Sequence, residues 1–202
     1  MAPVIAYHLT LATYGFWLPN DPRGSGSTEV RAENLRPFGP ATFTDSRRSV
    51  ARRPHDRSLR KSAKQALKYP EVYFTGHQAL SVMKGFATQV GKSRYRIHAC
   101  SIMPQHVHLV AMRHHYPVEQ VGRLLRQAGT SQLLEDGLHP FANLRSSNGR
   151  LPSVWGQDFH KDFIFNEKQL LHWIKYVEEN PVKEGKKPQQ WPFVIPYTGE
   201  LG

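Results

Sequence analysis

The stretch Ser101-Ile-Met-Pro-Gln-His-Val-His-Leu-Val-Ala-Met112 constrains the fold more than any other in the chain. Successive side chains of a β-strand point to opposite faces, so Val107 and Leu109 take one face, the core side, while His106 and His108 share the other. Two imidazoles side by side make a partial metal site. Neutral imidazole is a common metal ligand, and a pair of them leaves positions open for water, a carboxamide or carboxylate, and a phosphate oxygen. A plain strand with two partly exposed histidines has the same alternation, so a second element has to decide between the two readings.

The neighbouring segments read as a compact mixed fold. Tyr7–Thr13 alternates and is rich in β-formers, which predicts the first strand. From His77 to Val90 the residues Leu80, Met83, Phe86, Ala87 and Val90 recur at three- and four-residue steps, which predicts a helix with one buried face. Arg94–Met103 reads as a strand, Pro104-Gln105 as a tight turn and His106–Met112 as the partner strand. Val118–Leu134 repeats as a second helix, 135–153 is loop-like, and Val154–Phe165 is the expected closing strand, with Gly156 as a bulge or point of close approach. Strand-helix-strand-strand-helix-strand, followed by one more helix, is the order of the split βαβ, ferredoxin-like arrangement. The expected class is therefore α+β, an antiparallel sheet with helices on one face and a C-terminal helix.

That last helix is the second element. Asn166-Glu167 forms a cap with an acid in the first turn, the buried stripe is Leu170, Trp173, Ile174 and Val177, and Pro181 is the expected stop near Glu179. On an adjacent face Tyr176 and Asn180 are four apart and therefore neighbours, with His172 one turn earlier. A phenol and an amide can thus reach one point in space. The tail, with Trp191 through Tyr197, is expected to pack back onto the body.

Composition bounds the partner. Twenty-seven Lys and Arg against 16 Asp and Glu leave a formal charge of +11 over 202 residues, which points to a polyanion, because neutralising phosphates releases condensed counterions. The excess is local. Arg47, Arg48, Arg52, Arg53, Arg57, Arg60, Lys61, Lys64 and Lys68 face a single acid, Asp56, inside a long insertion at about 19–75, where a solvated face and a phosphate track are both consistent with the charge run. Phe16 and Trp17 precede it in an aromatic-basic loop that continues to Arg23, and Arg113, Arg123, Arg126 and Lys183 add cations elsewhere. The length favours one domain, 1–202. No apolar run approaches a membrane span, the N-terminus lacks a signal-peptide pattern, and Cys100, alone in the chain, excludes an intrachain disulfide and fits a reducing cytoplasm.

Met103-Pro-Gln-His-Val-His-Leu109 together with Tyr176-Val-Glu-Glu-Asn-Pro-Val182 resembles the HUH single-tyrosine transposases of the IS200 type, most of all the REP-associated tyrosine transposases. The pattern there is Met-Pro-Asn-His-x-His followed by Tyr-Ile-x-x-Asn-Pro-Val; here Gln105 replaces the Asn and Val177 the Ile. The resemblance covers roughly 5–15 and 77–185 and omits the insertion. It implies a divalent metal, Mg²⁺ or Mn²⁺, held by His106 and His108 with Asn180 as third ligand, and Tyr176 as the nucleophile. The implied enzyme nicks and rejoins single-stranded or hairpin DNA through a 5′-phosphotyrosine link, as a monomer or homodimer. Phe16 and Trp17 are the candidate base-stacking surfaces, and Arg23, Arg47, Arg48, Arg52, Arg53, Arg113, Arg123, Arg126 and Lys183 the candidate DNA contacts. His8 from the neighbouring strand, and Trp155, Gln157 and His160 from the closing one, are further candidates to line the site. A host-adopted nucleic-acid-binding protein with little cleavage, and a hydrolase using metal-activated water, are the competing functions.

Overall fold

The structure, a computed structural model, describes residues 3–21, 24, 28–43, 56–144 and 149–199. The element order is β1 (Ala6–Ala12), a 3₁₀ helix (Glu33–Phe38), α1 (Arg57–Gln65), α2 (Gly76–Ser93), β2 (Ile97–Ile102), β3 (His106–Met112), α3 (Val118–Glu135), β4 (His160–Ile164) and α4 (Glu167–Lys183). The strands form one sheet in the order β2-β3-β1-β4, antiparallel at every step. With α2 between β1 and β2 and α3 between β3 and β4, this is the ferredoxin-like split βαβ that the element order predicts.

The sheet is covered on both faces. Leu9, Leu11, Val107, Leu109 and Ala111 pack with Val82, Phe86, Val121 and Leu125 of α2 and α3. On the other face Ala6, Ala99, Val110 and Met112 meet Leu170, Trp173, Ile174 and Val177 of α4. Helix α2 starts at a capping box, in which Thr75 Oγ1 accepts from the Gln78 N–H and Gln78 Oε1 accepts from the Thr75 N–H, satisfying two otherwise orphaned donors. Gly85 lets α2 and α3 approach closely: a Cβ there would lie 2.4 Å from the Ala128 carbonyl oxygen.

Two segments depart from the sequence expectation. The closing strand is not continuous from Val154. The Gly156 N–H donates to the Ala12 carbonyl and Trp155 bridges Thr13, but regular pairing starts only at His160. Phe159 causes the break by turning onto α3, where its ring occupies the space a Cβ on Gly122 would need. Pro181 does not end α4; it lies in the last turn, where the helix gives up the one N–H bond that residue would otherwise make. The stop is Gly185 at φ 70, with the Lys186 N–H donating to Pro181 O and the Gly185 N–H to Val182 O, a Schellman closure. The insertion is ordered in part, as its mixed composition suggests: it holds α1, capped by Asp56, whose side chain accepts from the Ser58 and Leu59 N–H groups, and a satellite core of Leu18, Leu35 and Ala63.

The tail packs back as expected, along the outer edge of β2. Ile195 N–H donates to Ile97 O, and the Gln189 amide bonds both the N–H and the carbonyl of Ile102. Among the described residues no helix is long and apolar enough to cross a membrane.

Candidate active site

The register assembles the site. Thr10 lies opposite His108 and Ala12 opposite His106 on one side of β1, while His8 lies opposite Asp162 and Thr10 opposite His160 on the other. Alternation then puts His8, Thr10, His106, His108, His160 and Asp162 on the face that α4 covers. His106 and His108 are 8 % and 7 % exposed, with ring centroids 4.7 Å apart.

Helix α4 brings its residues over this row. The Tyr176 ring meets the His108 ring edge-on at 5.4 Å and the His8 ring at 5.9 Å. One turn on, Asn180 is buried, and its Oδ1 has no hydrogen-bond partner among the described residues. A further turn on, Glu184 Oε1 lies 4.0 Å from His106 Nε2. Trp173, one turn before Val177, stacks flat on His8 at 3.8 Å between centroids, which seats the helix on the sheet.

Behind His108 runs a hydrogen-bonded chain. His8 Nδ1 lies 2.8 Å from Asp162 Oδ2, His8 Nε2 lies 3.0 Å from His108 Nδ1, and Thr10 Oγ1 is 3.1 Å from that same nitrogen. Burial first, then the charges of His106 and His8, hold His108 well below the ordinary histidine pKa, so it is neutral at pH 7. For Asp162, burial by itself would raise the pKa, but hydrogen bonds from His160 and His8 and their charges hold the carboxyl well below its usual range. The hydrogen bond to Asp162 raises His160.

Other candidates fall elsewhere. Phe16 is buried and stacks on His106 at 5.0 Å, so it is a wall of the site; Trp17, 38 % exposed, packs edge-on against it at 4.5 Å. Lys183 Nζ sits 5.6 Å from the Tyr176 ring centre and pairs with Glu179 at 2.9 Å. Arg126 faces inward, donating to Gly156 O at 2.8 Å and lying over the Phe159 ring. Trp155 is core on the far face of the sheet, its Nε1 donating to Arg126 O. Arg113 follows the end of β3 opposite to His106, roughly 20 Å along the strand, and Arg123 is on α3, so neither is brought to the histidines. Arg23, Arg47, Arg48, Arg52 and Arg53 lie outside the described residues.

Sequence reasoning missed Asp162 and Glu184. Glu184 did carry a signal, standing four beyond Asn180 and eight beyond Tyr176 on the same helical line. Asp162 carried only a parity, shared with His160. Among the described residues no three His, Cys, Asp or Glu side chains form a metal-holding group by themselves, so a centre here would draw on another donor, for which the Asn180 amide is the candidate. The donors fit one: a neutral buried imidazole, a second imidazole, and an amide oxygen that is buried and unbonded, with a carboxylate at the edge. Mixed nitrogen and oxygen donors suit Mn²⁺ better than Mg²⁺, which favours oxygen alone.

The sequence matches no protein-family model and no curated protein. In structure the chain is similar to a REP-associated tyrosine transposase bound to a REP hairpin, at 14 % identity and a TM-score of 0.48 over all of this chain and 90 % of that one. It is also similar to a candidate transposase from Deinococcus radiodurans R1, at 12 % identity and a TM-score of 0.43 over 89 % of this chain and 92 % of that one.

Proposed function

We propose that the chain is a metal-dependent enzyme that nicks and rejoins single-stranded DNA, a transposase acting on hairpin-containing substrates, with Tyr176 as nucleophile and His106, His108 and Asn180 as metal ligands. The observation that carries this reading is the Tyr176 ring edge-on against His108, with the buried Asn180, whose oxygen has no partner among the described residues, one turn further along the same helix. The packing of α4 on the sheet of its own chain supports action of Tyr176 in cis, within a single catalytic domain that carries an insertion.

A divalent ion held by His106, His108 and Asn180 would supply charge neutralisation to the phosphodiester and so favour attack at phosphorus. The protein prepares the ligand. Asp162 is ionised and accepts the His8 Nδ1 proton; His8 Nε2 is then an acceptor, and His108 Nδ1–H donates to it and to Thr10. That leaves the lone pair on His108 Nε2 exposed to the site, the arrangement a carboxylate commonly enforces behind a ligating histidine. In the transfer step Tyr176 Oη bonds to phosphorus as the bond to the 3′-oxygen breaks. The phenolic proton leaves, the 3′-oxygen gains a proton, and the 5′-phosphate stays on the tyrosine. The reverse attack by another 3′-hydroxyl rejoins the strand with no net change in bond type, so no nucleotide cofactor is required. Lys183, beside the phenol ring, favours the negative charge that develops on its oxygen. Phe16 holds the His106 ring, and the +11 charge draws the polyanion in.

The test is incubation with a labelled hairpin oligonucleotide and Mn²⁺, scored for a denaturant-stable protein–DNA adduct. An adduct that disappears in Tyr176→Phe is the expected result. Salt-sensitive binding with no adduct in the wild type would make the protein a binder, and cleavage surviving in Tyr176→Phe would assign the chemistry to metal-activated water.

A further inference from the structure

Where β1 ends, the chain, its insertion and the broken closing strand enclose a cavity of about 570 Å³. It opens beside the histidine cluster, because Thr10 and His160 line it, and these are the residues 3.1 Å from His108 Nδ1 and 3.3 Å from Asp162 Oδ1. Three rings stand in its walls: Phe16, Trp17 and Phe159. Phe16 is braced by His106, and Phe159 is seated against Gly122 and beneath Arg126, so their orientations are set before anything binds.

The outer wall is the insertion, through residues 29–32, 34, 35 and Ala41. It is tied across the cavity by the Arg31–Asp158 ion pair, and Lys161 pairs with Glu119 on the same rim. Each of these cations already has an acid, so this rim suits a phosphate poorly. Leu18 and Leu35 give an apolar lining and Asn34 a polar one; the Asn34 Nδ2 donates to Ala66 O, which holds the amide in place. Flat walls, an apolar lining and a rim whose two cations, Arg31 and Lys161, are each paired with an acid, with Glu29 as a further acid, match a neutral heterocyclic base better than a phosphate, and the volume falls in the range of small-molecule pockets.

We propose that this cavity is a subsite for one unpaired nucleobase of the strand whose phosphate is held at His106 and His108, and that the insertion decides which base enters. The proposal rests on the reading of the site as a DNA-processing centre, from which the base reaches the cavity past Thr10. It gives the insertion a task other than tracking the backbone.

The probe is the same labelled hairpin oligonucleotide with single-stranded flanks, in which each flank position is replaced in turn by an abasic residue, and the readout is binding affinity. In the wild type, removing the base at one position should weaken binding roughly tenfold, as losing a base stacked on an aromatic ring does. Trp17→Ala and Phe159→Leu should each weaken binding of the intact oligonucleotide by a similar factor, and base removal at that position should then cost nothing more. Two variants are needed because Phe159 also packs on α3, whereas Trp17 is partly exposed. Equal abasic penalties in wild type and both variants, or no sensitive position, overturn the subsite. Binding needs no cleavage, so coupled penalties without a Tyr176 adduct keep the subsite and overturn nicking, while an adduct without coupled penalties does the reverse. Failure to bind the hairpin at all overturns both.

Discussion

On β3, Val107, Leu109 and Ala111 face α2 and α3, while His106, His108 and Val110 face α4. The first face buries hydrocarbon, and its stability scales with the area removed from water. The second buries imidazoles, whose desolvation is offset in part by bonds to His8, Thr10 and Asp162, and it leaves the Asn180 oxygen without a partner among the described residues, at a cost of about 1–3 kcal/mol. One strand thus has a side optimised for packing and a side kept expensive. The expensive side is where a bound ion would recover the cost.

The largest expected effect separates chemistry from packing. Tyr176→Phe should abolish the covalent adduct while the thermal midpoint moves by less than about 2 °C, since only a hydroxyl is lost. Leu109→Ala, on the opposite face, should lower stability by about 2–5 kcal/mol in a denaturant titration, yet leave adduct formation intact at temperatures where the variant is folded. If the two substitutions acted alike, the division between faces would be wrong.

Mn²⁺ sharpens the contrast. At about a hundredfold excess over its Kd, it should stabilise the wild type by roughly 2.7 kcal/mol, measured as a midpoint shift. Asn180→Leu should lose that shift while keeping or raising the metal-free midpoint, because it removes a buried unbonded oxygen. A metal-free protein strongly destabilised by this change would show the amide to be structural.

Asp162→Asn probes the chain behind His108. Without the carboxylate charge the His8–His108 tautomers are no longer fixed, and Mn²⁺ affinity should fall about 10- to 100-fold, with the ring nitrogens of His108 shifting toward averaged values in ¹⁵N spectra. Unchanged affinity and unchanged nitrogen shifts would remove Asp162 from the site.

The smallest effect is with pH. His108 is depressed in the folded state, so below the ordinary value of 6.5 the unfolded chain binds the extra proton and stability falls as pH falls, by at most about 1.4 kcal/mol per unit. His160, raised by Asp162, contributes the opposite way: its stabilisation is complete below 6.5 and is lost as pH rises through its folded value. Because His108 is almost enclosed and the His160 side chain is half exposed, the first trend should dominate. His108→Asn should flatten the acid limb of a stability-versus-pH curve.

The sequence by itself determined whatever depends on local period. The two-residue alternation that puts His106 and His108 on one face, the helical stripes of α2, α3 and α4, and the four-residue spacing of Tyr176 and Asn180 are all consequences of backbone geometry within one element. Lateral register between strands was decided only by the tertiary structure. Asp162 and His8 meet because β4 pairs with β1 at one offset out of several that the alternation allows, and a shift of one residue would turn Asp162 to the other face. Likewise Phe159 breaks the closing strand because Gly122, distant in sequence, leaves room for its ring. The end of α4 lies beyond Pro181, at Gly185, which supplies the left-handed residue that closes it. Short-range patterns carry periodicity and capping; the choice among long-range partners is set by packing across elements, which no single segment encodes.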